Sequence, residues 1–128
     1  MTLLKAVCID CGDPWRLAHW WAPVLGYRVR QHTEEDRAEL RERGIQRVED
    51  DPEIALDPLE GSGPTIWFNK VPEEKAVKNR VHLDVYGDMD ELVARGGVVL
   101  YRTGELPGTS WAILADPEGN EFCVFPPT

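Results

Sequence analysis

The apolar positions along this chain fall into short stretches with two different periods. Leu3-Leu-Lys-Ala-Val-Cys-Ile-Asp10 reads as a strand, expected over residues 3–10. Asp13-Pro14 then has the composition of a helix start: a capping side chain followed by a proline whose missing N–H costs nothing at the first helical position. Leu17, Trp20, Trp21 and Val24 follow at helical spacing, so a helix is expected over Pro14–Leu25, closed by Gly26 in a left-handed conformation. Pro23 should tighten or kink its last turn. Tyr27-Arg-Val-Arg-Gln-His32 alternates and predicts a second strand. Residues 33–44 are almost wholly charged. They read as a short solvated helix or a mobile loop, with Thr33 as N-cap, Gly44 as C-cap and little to bury. Two more strands are expected near Glu53–Leu56 and Pro64–Asn69, separated by the turn Gly61-Ser-Gly-Pro.

After the polar linker Val71–Asn79 the order repeats. Arg80–Tyr86 reads as a strand, Asp88 as the cap of a helix over Met89–Arg95, and Gly96-Gly97 as its end. Strands are expected at Val98–Arg102, Ser110–Leu114 and Glu121–Phe125. Val7-Cys-Ile-Asp10 is echoed by Val81-His-Leu-Asp84, each ahead of a capped helix. Each half thus reads strand, helix, three strands, and such a repeat within a single small chain limits the candidate folds. Alternation implies antiparallel pairing with one sheet face on helix. Two such units side by side are expected to share a cavity at their join.

Composition narrows the functional classes. The 128 residues fit one domain, residues 1–128, with modules at roughly 1–70 and 78–128, and 42% hydrophobic content supports a continuous core. No apolar run approaches the ~20 residues of a membrane span, and Met1–Lys5 opens no signal-peptide core. No membrane partner and a cytoplasmic location are expected. The net charge of −9 repels phosphate backbones, and the loose basic cluster Lys70, Lys75, Lys78, Arg80 is interrupted by Glu73 and Glu74, so no nucleic acid partner is expected. The three cysteines Cys8, Cys11 and Cys123 form no tidy disulfide framework. A strand would turn Cys8 and Cys11 to opposite faces, so the pair is read as ordinary buried thiols.

In Asp116-Pro-Glu-Gly-Asn-Glu-Phe-Cys-Val-Phe125, the first five residues have turn composition, with Gly119 and Asn120 able to take positive φ. In the strand that follows, Glu121, Cys123 and Phe125 share one face and Phe122 and Val124 the other. On Arg80–Tyr86, likewise, Arg80, His82 and Asp84 oppose Val81, Leu83 and Val85. Three ionisable side chains on one face are costly to bury unpartnered, so that face either lines a wet pocket or pairs internally.

Asp13-Pro-Trp-Arg-Leu-Ala-His-Trp-Trp…Leu25-Gly-Tyr27, Val71–Asp84 and Trp111–Phe125, in this order and spacing, make the whole chain resemble the vicinal-oxygen-chelate superfamily. That superfamily includes glyoxalase I, extradiol dioxygenases and bleomycin-resistance proteins; the last two stretches resemble its glyoxalase-like branch. The resemblance implies an α+β fold of two βαβββ modules in tandem, their curved mixed sheets around a shared cavity. It also implies a small-molecule ligand and a homodimer. In metal-dependent relatives a His on the opening strand of the second module and a Glu on its last strand are ligands, which here implies His82 and Glu121 as metal-binding or acid–base candidates.

The first module departs from that pattern. Counting back from Asp13 puts Ala6 at its ligand position, matching Val-x-x-Asp puts Cys8 there, and the same ambiguity moves the second-module site between Arg80 and His82. Thr65–Asn69 contains no acid. His82 and Glu121 alone would hold a divalent ion weakly, since catalytic sites commonly supply three protein ligands. Cys8 or Asp10 is the candidate for a third.

Two functions follow. One is a pocket for a small aromatic, cationic or oxygenated molecule, lined by Cys8, Asp10, Trp67, Asn69, Arg80, Asp84, Tyr101, Trp111 and one of Trp20 and Trp21. The other is a metal-dependent enzyme of lyase, isomerase or dioxygenase type using His82 and Glu121.

Overall fold

The computed structural model describes residues 1–103 and 111–127. They form two compact units, Met1–Glu74 and Lys75–Thr128, with the same topology.

The first unit opens with β1 (Ala6–Cys11), α1 (Pro14–Leu25) and β2 (Tyr27–Val29). α2 (Glu34–Glu42), a single 3-10 turn at Val48–Asp50, β3 (Glu53–Pro58) and β4 (Thr65–Lys70) follow. The sheet order is β1-β4-β3-β2, with β1 parallel to β4 and the other pairs antiparallel. α1 has the expected limits. Asp13 accepts a bond from the Arg16 N–H, and Gly26 closes the helix at φ 69°, where a side chain would be strained. Pro23 sits inside the helix without ending it. Leu17, Ala18, Trp21 and Ala22 form the buried stripe of α1, and Ile54, Leu56, Ile66 and Phe68 are the buried residues of β3 and β4 with the same role. Trp21 is therefore a core residue rather than a pocket wall, and Trp20 packs edge-on against it at 5.0 Å.

The second unit contains β5 (Asp84–Tyr86), α3 (Met89–Ala94), β6 (Val98–Arg102), β7 (Ala112–Ala115) and β8 (Glu121–Phe125), in sheet order β5-β8-β7-β6. β5 is parallel to β8, as β1 is to β4. The core here is Val85, Leu92, Ala112, Leu114, Phe122 and Val124. The sheets are mixed because the first and last strands of each unit run parallel.

Several expected boundaries move. The first strand covers 6–11 rather than 3–10, and Leu3 and Leu4 are exposed. β2 ends at Val29, although the Arg30 N–H still bonds the Ala55 carbonyl. The strand expected over Arg80–Tyr86 shrinks to three residues. Val81 is 84% exposed, so the apolar alternation is not used there, and only the Cys123 N–H to Leu83 carbonyl bond extends the ladder backward. The strand expected over Ser110–Leu114 covers Ala112–Ala115; Ser110 lies outside the described residues. Residues 33–44 do form a helix. Thr33 and Asp36 cap each other's backbone N–H groups, three acids occupy the first turn, and Leu40 alone is buried. Among the described residues no helix is long and apolar enough to cross a membrane.

Candidate functional site

Each sheet buries its main apolar residues, Phe68 and Phe122 among them, and puts most of its polar side chains, with Trp67 in the first sheet and Tyr101 in the second, on the other face. In the first unit the register pairs Cys8 with Trp67 and Asp10 with Asn69, so four of the ligand-site candidates stand side by side. Ala6 shares their face by alternation. Either way of aligning the halves therefore puts Ala6 or Cys8, and no His or acid, at the first-module position. Cys8 is exposed, not the buried thiol expected from sequence, while Cys11 is buried and directs its thiol toward the Asn69 carbonyl.

Sequence reading did not single out the residues that organise this face. The Arg30 guanidinium makes a two-pronged pair with Asp57, 2.8 Å from Nε to Oδ2 and 2.8 Å from Nη2 to Oδ1. The Thr65 hydroxyl donates to the same carboxylate at 2.8 Å. These bonds hold the Asp57 pKa down to about 2, Arg30 being the largest cause, while burial opposes it. The guanidinium also lies over the Trp67 ring, 5.2 Å from its centroid. Trp67, Ala55, Arg30, Leu40 and Arg43 are among the walls of a cavity of about 240 Å³ between β3 and α2. On the same wall His32 Nε2 and Asp51 Oδ2 are 2.7 Å apart and both side chains are largely covered. Alternation of Tyr27–His32 put Arg30 on a definite face; its pairing with Asp57, 27 residues away, has no local signal.

In the second unit the closing motif divides into a turn and a strand. Asp116 is 3% exposed, and its carboxylate accepts from the N–H groups of Glu118 and Asn120 and from the Asn120 side chain. Gly119 takes φ 86°. Asn120 does not adopt the positive φ open to it, because its side chain is used instead, bonding Asp116 and Asn79.

Glu121 is half-buried, and both carboxylate oxygens are engaged. Lys75 Nζ donates to Oε1 at 2.9 Å and the Asn79 N–H to Oε2 at 2.9 Å. The Lys75 ammonium, then the Asn79 N–H, lower the Glu121 pKa to about 2. The side chain thus staples the linker 75–79 to β8. A metal on Glu121 would have to displace Lys75.

His82 precedes β5 and is exposed, with Nδ1 2.9 Å from Asp84 Oδ1. Asp84 is the register partner of Cys123. Ligand atoms of His82, Asp84 and Cys123 all lie within 4.8 Å of one another, a group that does not include Glu121. Burial, then the Asp84 carboxylate, push the Cys123 thiol pKa up. Arg80 is exposed at the edge of this segment. Tyr101 is exposed on β6, 6.0 Å from the Trp111 ring, and Trp111 stacks on Phe125 at 6.1 Å. Trp111 also borders a cavity of about 410 Å³ at the C-terminal ends of β5 and β8, with Asp88, Asp90 and Arg102. It is the one ligand-site candidate on that wall among the described residues.

These units, each strand–helix–three strands with a parallel outer pair, have the architecture of vicinal-oxygen-chelate proteins. Residues 6–125 match the glyoxalase-like domain family, and the chain belongs to it. Solved structures agree at the level of fold. A mutant of the fosfomycin resistance protein FosX from Listeria monocytogenes, in complex with Mn(II) and 1S,2S-dihydroxypropylphosphonic acid, matches with a TM-score of 0.62 at 10% identity, over 100% of this chain and 92% of that one. FosX from Mesorhizobium loti matches with 0.62 at 13%, over 100% and 94%. A glyoxalase/bleomycin resistance protein/dioxygenase family enzyme from Burkholderia phytofirmans matches with 0.60 at 21%, over 96% and 97%. No curated protein matches the chain by sequence.

Proposed function

We propose that this glyoxalase-like protein binds a small aromatic or oxygenated molecule on the open face of its first sheet. The observation that carries the reading is the cavity of about 240 Å³ with Trp67 and Ala55 as its floor and Arg30 fixed beside it. An indole offers a flat apolar surface, and a guanidinium already ordered by Asp57 presents its remaining edge without further entropy loss. Asn69 and Asp10, register partners two residues along from Trp67 and Cys8, add an amide and a carboxylate to the same face beside the cavity. The cavity is smaller than the usual small-molecule pocket of about 300–1,000 Å³, so a ligand of about one ring is expected.

The test is a thermal-shift and fluorescence panel of single-ring acids, amines and vicinal diols. Ligands that stabilise the protein should lose their effect in Trp67→Leu and keep it in Trp111→Leu. A panel with no shift at millimolar concentration would overturn the reading, as would shifts unaffected by Trp67→Leu.

A second reading is a metal-dependent enzyme with His82 and Glu121 as ligands. It draws on the parallel pairing of β5 and β8, with His82 just ahead of β5 and Glu121 opening β8. The Mn(II) bound by the FosX relative gives it a chemical parallel. A divalent ion there would polarise adjacent substrate oxygens. Glu121→Gln should then abolish metal binding; retention of the metal would exclude this site.

A further inference from the structure

We infer that His82, Asp84 and Cys123 form a thiolate-containing metal site selective for zinc-like ions over manganese. Asp84 and Cys123 face each other across the β5–β8 ladder, and His82, just ahead of β5, turns its Nδ1 to within 2.9 Å of Asp84 Oδ1. Three ligand atoms within 4.8 Å need to close by only about 1 Å to surround one ion, since Zn–N, Zn–O and Zn–S bonds of about 2.0–2.3 Å set tetrahedral ligand atoms about 3.5 Å apart.

The contacts already present fit that change. Asp84 is the hub, meeting His82 at 2.9 Å and lying within 4.8 Å of the Cys123 thiol, its register partner. A divalent cation can replace the thiol proton and face a neutral imidazole, a carboxylate and a thiolate. The charges then sum to zero, which removes the repulsion between Asp84 and a Cys123 thiolate. Three protein ligands leave a fourth position open, as in catalytic rather than structural zinc sites.

The ligand set decides the metal. Thiolate favours Zn(II) and Co(II), whereas Mn(II) prefers carboxylate and imidazole alone. Glu121 stays with Lys75. This proposal is independent of the small-molecule reading above, and it differs from the His82–Glu121 reading in both ligands and metal.

The experiment is Co(II) titration of the metal-free, reduced protein, followed by displacement with Zn(II) and Mn(II). One equivalent of Co(II) should produce a near-ultraviolet thiolate-to-cobalt band that Zn(II) abolishes and equimolar Mn(II) leaves intact. The band should persist in Cys8→Ser and in Glu121→Gln and vanish in Cys123→Ser. Asp84→Asn should weaken Co(II) by at least about tenfold, which keeps the test sound if the cysteine variant fails to fold. Absence of the band at a Co(II) excess, its loss in Cys8→Ser with retention in Cys123→Ser, or its dependence on Glu121 would each overturn the proposal.

Discussion

The two units share one topology but use their open faces differently. In the first, the central polar contact is a closed one: Arg30 is held by Asp57, Asp57 is also held by Thr65, and Trp67 lies beneath the guanidinium. In the second, the ionisable groups stand in separate, smaller contacts. His82 leans on Asp84, Cys123 faces Asp84, and Glu121 is tied to a lysine of the linker. The packing beneath them differs too. α1 has 12 residues and a broad buried stripe, whereas α3 has six and buries only Leu92. The first unit thus ties its charged pair into further contacts above a long buried helix, and the second carries its ionisable groups above a shorter, less buried one. A repeat can duplicate topology without duplicating function, because the open-face residues are not constrained by the core.

The largest test of that contrast concerns the shared part. Phe68 and Phe122 are each almost wholly buried on the central strand of their sheet. Truncation of either to alanine should cost about 3–5 kcal/mol in chemical denaturation. If one costs less than about half the other, the cores are not equivalent.

The next test concerns the faces. Asp57→Ala leaves Arg30 without its partner, and a cost of about 1–2 kcal/mol is expected for losing charge-assisted bonds at a partly exposed site. Asp84→Ala, at an exposed position, should stay within about 0.5 kcal/mol of the parent. The reverse order would break that distinction between the two faces.

The smallest effect is electrostatic. Glu121 and Asp57 both have depressed pKa values, so each contributes stability that is complete above its ordinary pKa. For Glu121 that contribution fades as pH falls from about 4.5 to about 2; for Asp57 it fades from about 3.8 to about 2. Lys75→Met should raise the Glu121 pKa, followed by carboxyl-carbon NMR, toward 4.5 and remove its part of the acid dependence, with less than about 1 kcal/mol lost at neutral pH. Asp57 should titrate unchanged in that variant. An unmoved Glu121 would show that the Asn79 N–H, not Lys75, holds it ionised.

Much of the fold was legible in the sequence because its signals are local. Asp13, Pro14 and Gly26 mark the ends of α1 by the chemistry of orphan backbone groups and positive φ, and Asp116–Gly119 marks the turn before β8 for the same reason. Alternation likewise put Phe122 and Val124 on one face and Glu121 and Cys123 on the other, and the structure buries the first pair. Pattern failed where apolar residues were not used for burial, as at Val81, and where an exposed thiol stood among strand residues, as at Cys8. What tertiary structure decided was pairing. Arg30 meets Asp57, Lys75 meets Glu121 and Asp84 meets Cys123 across 27, 46 and 39 positions of chain. Residue type made each partner chemically eligible; only strand order and register chose among the many acids and bases of a chain with net charge −9.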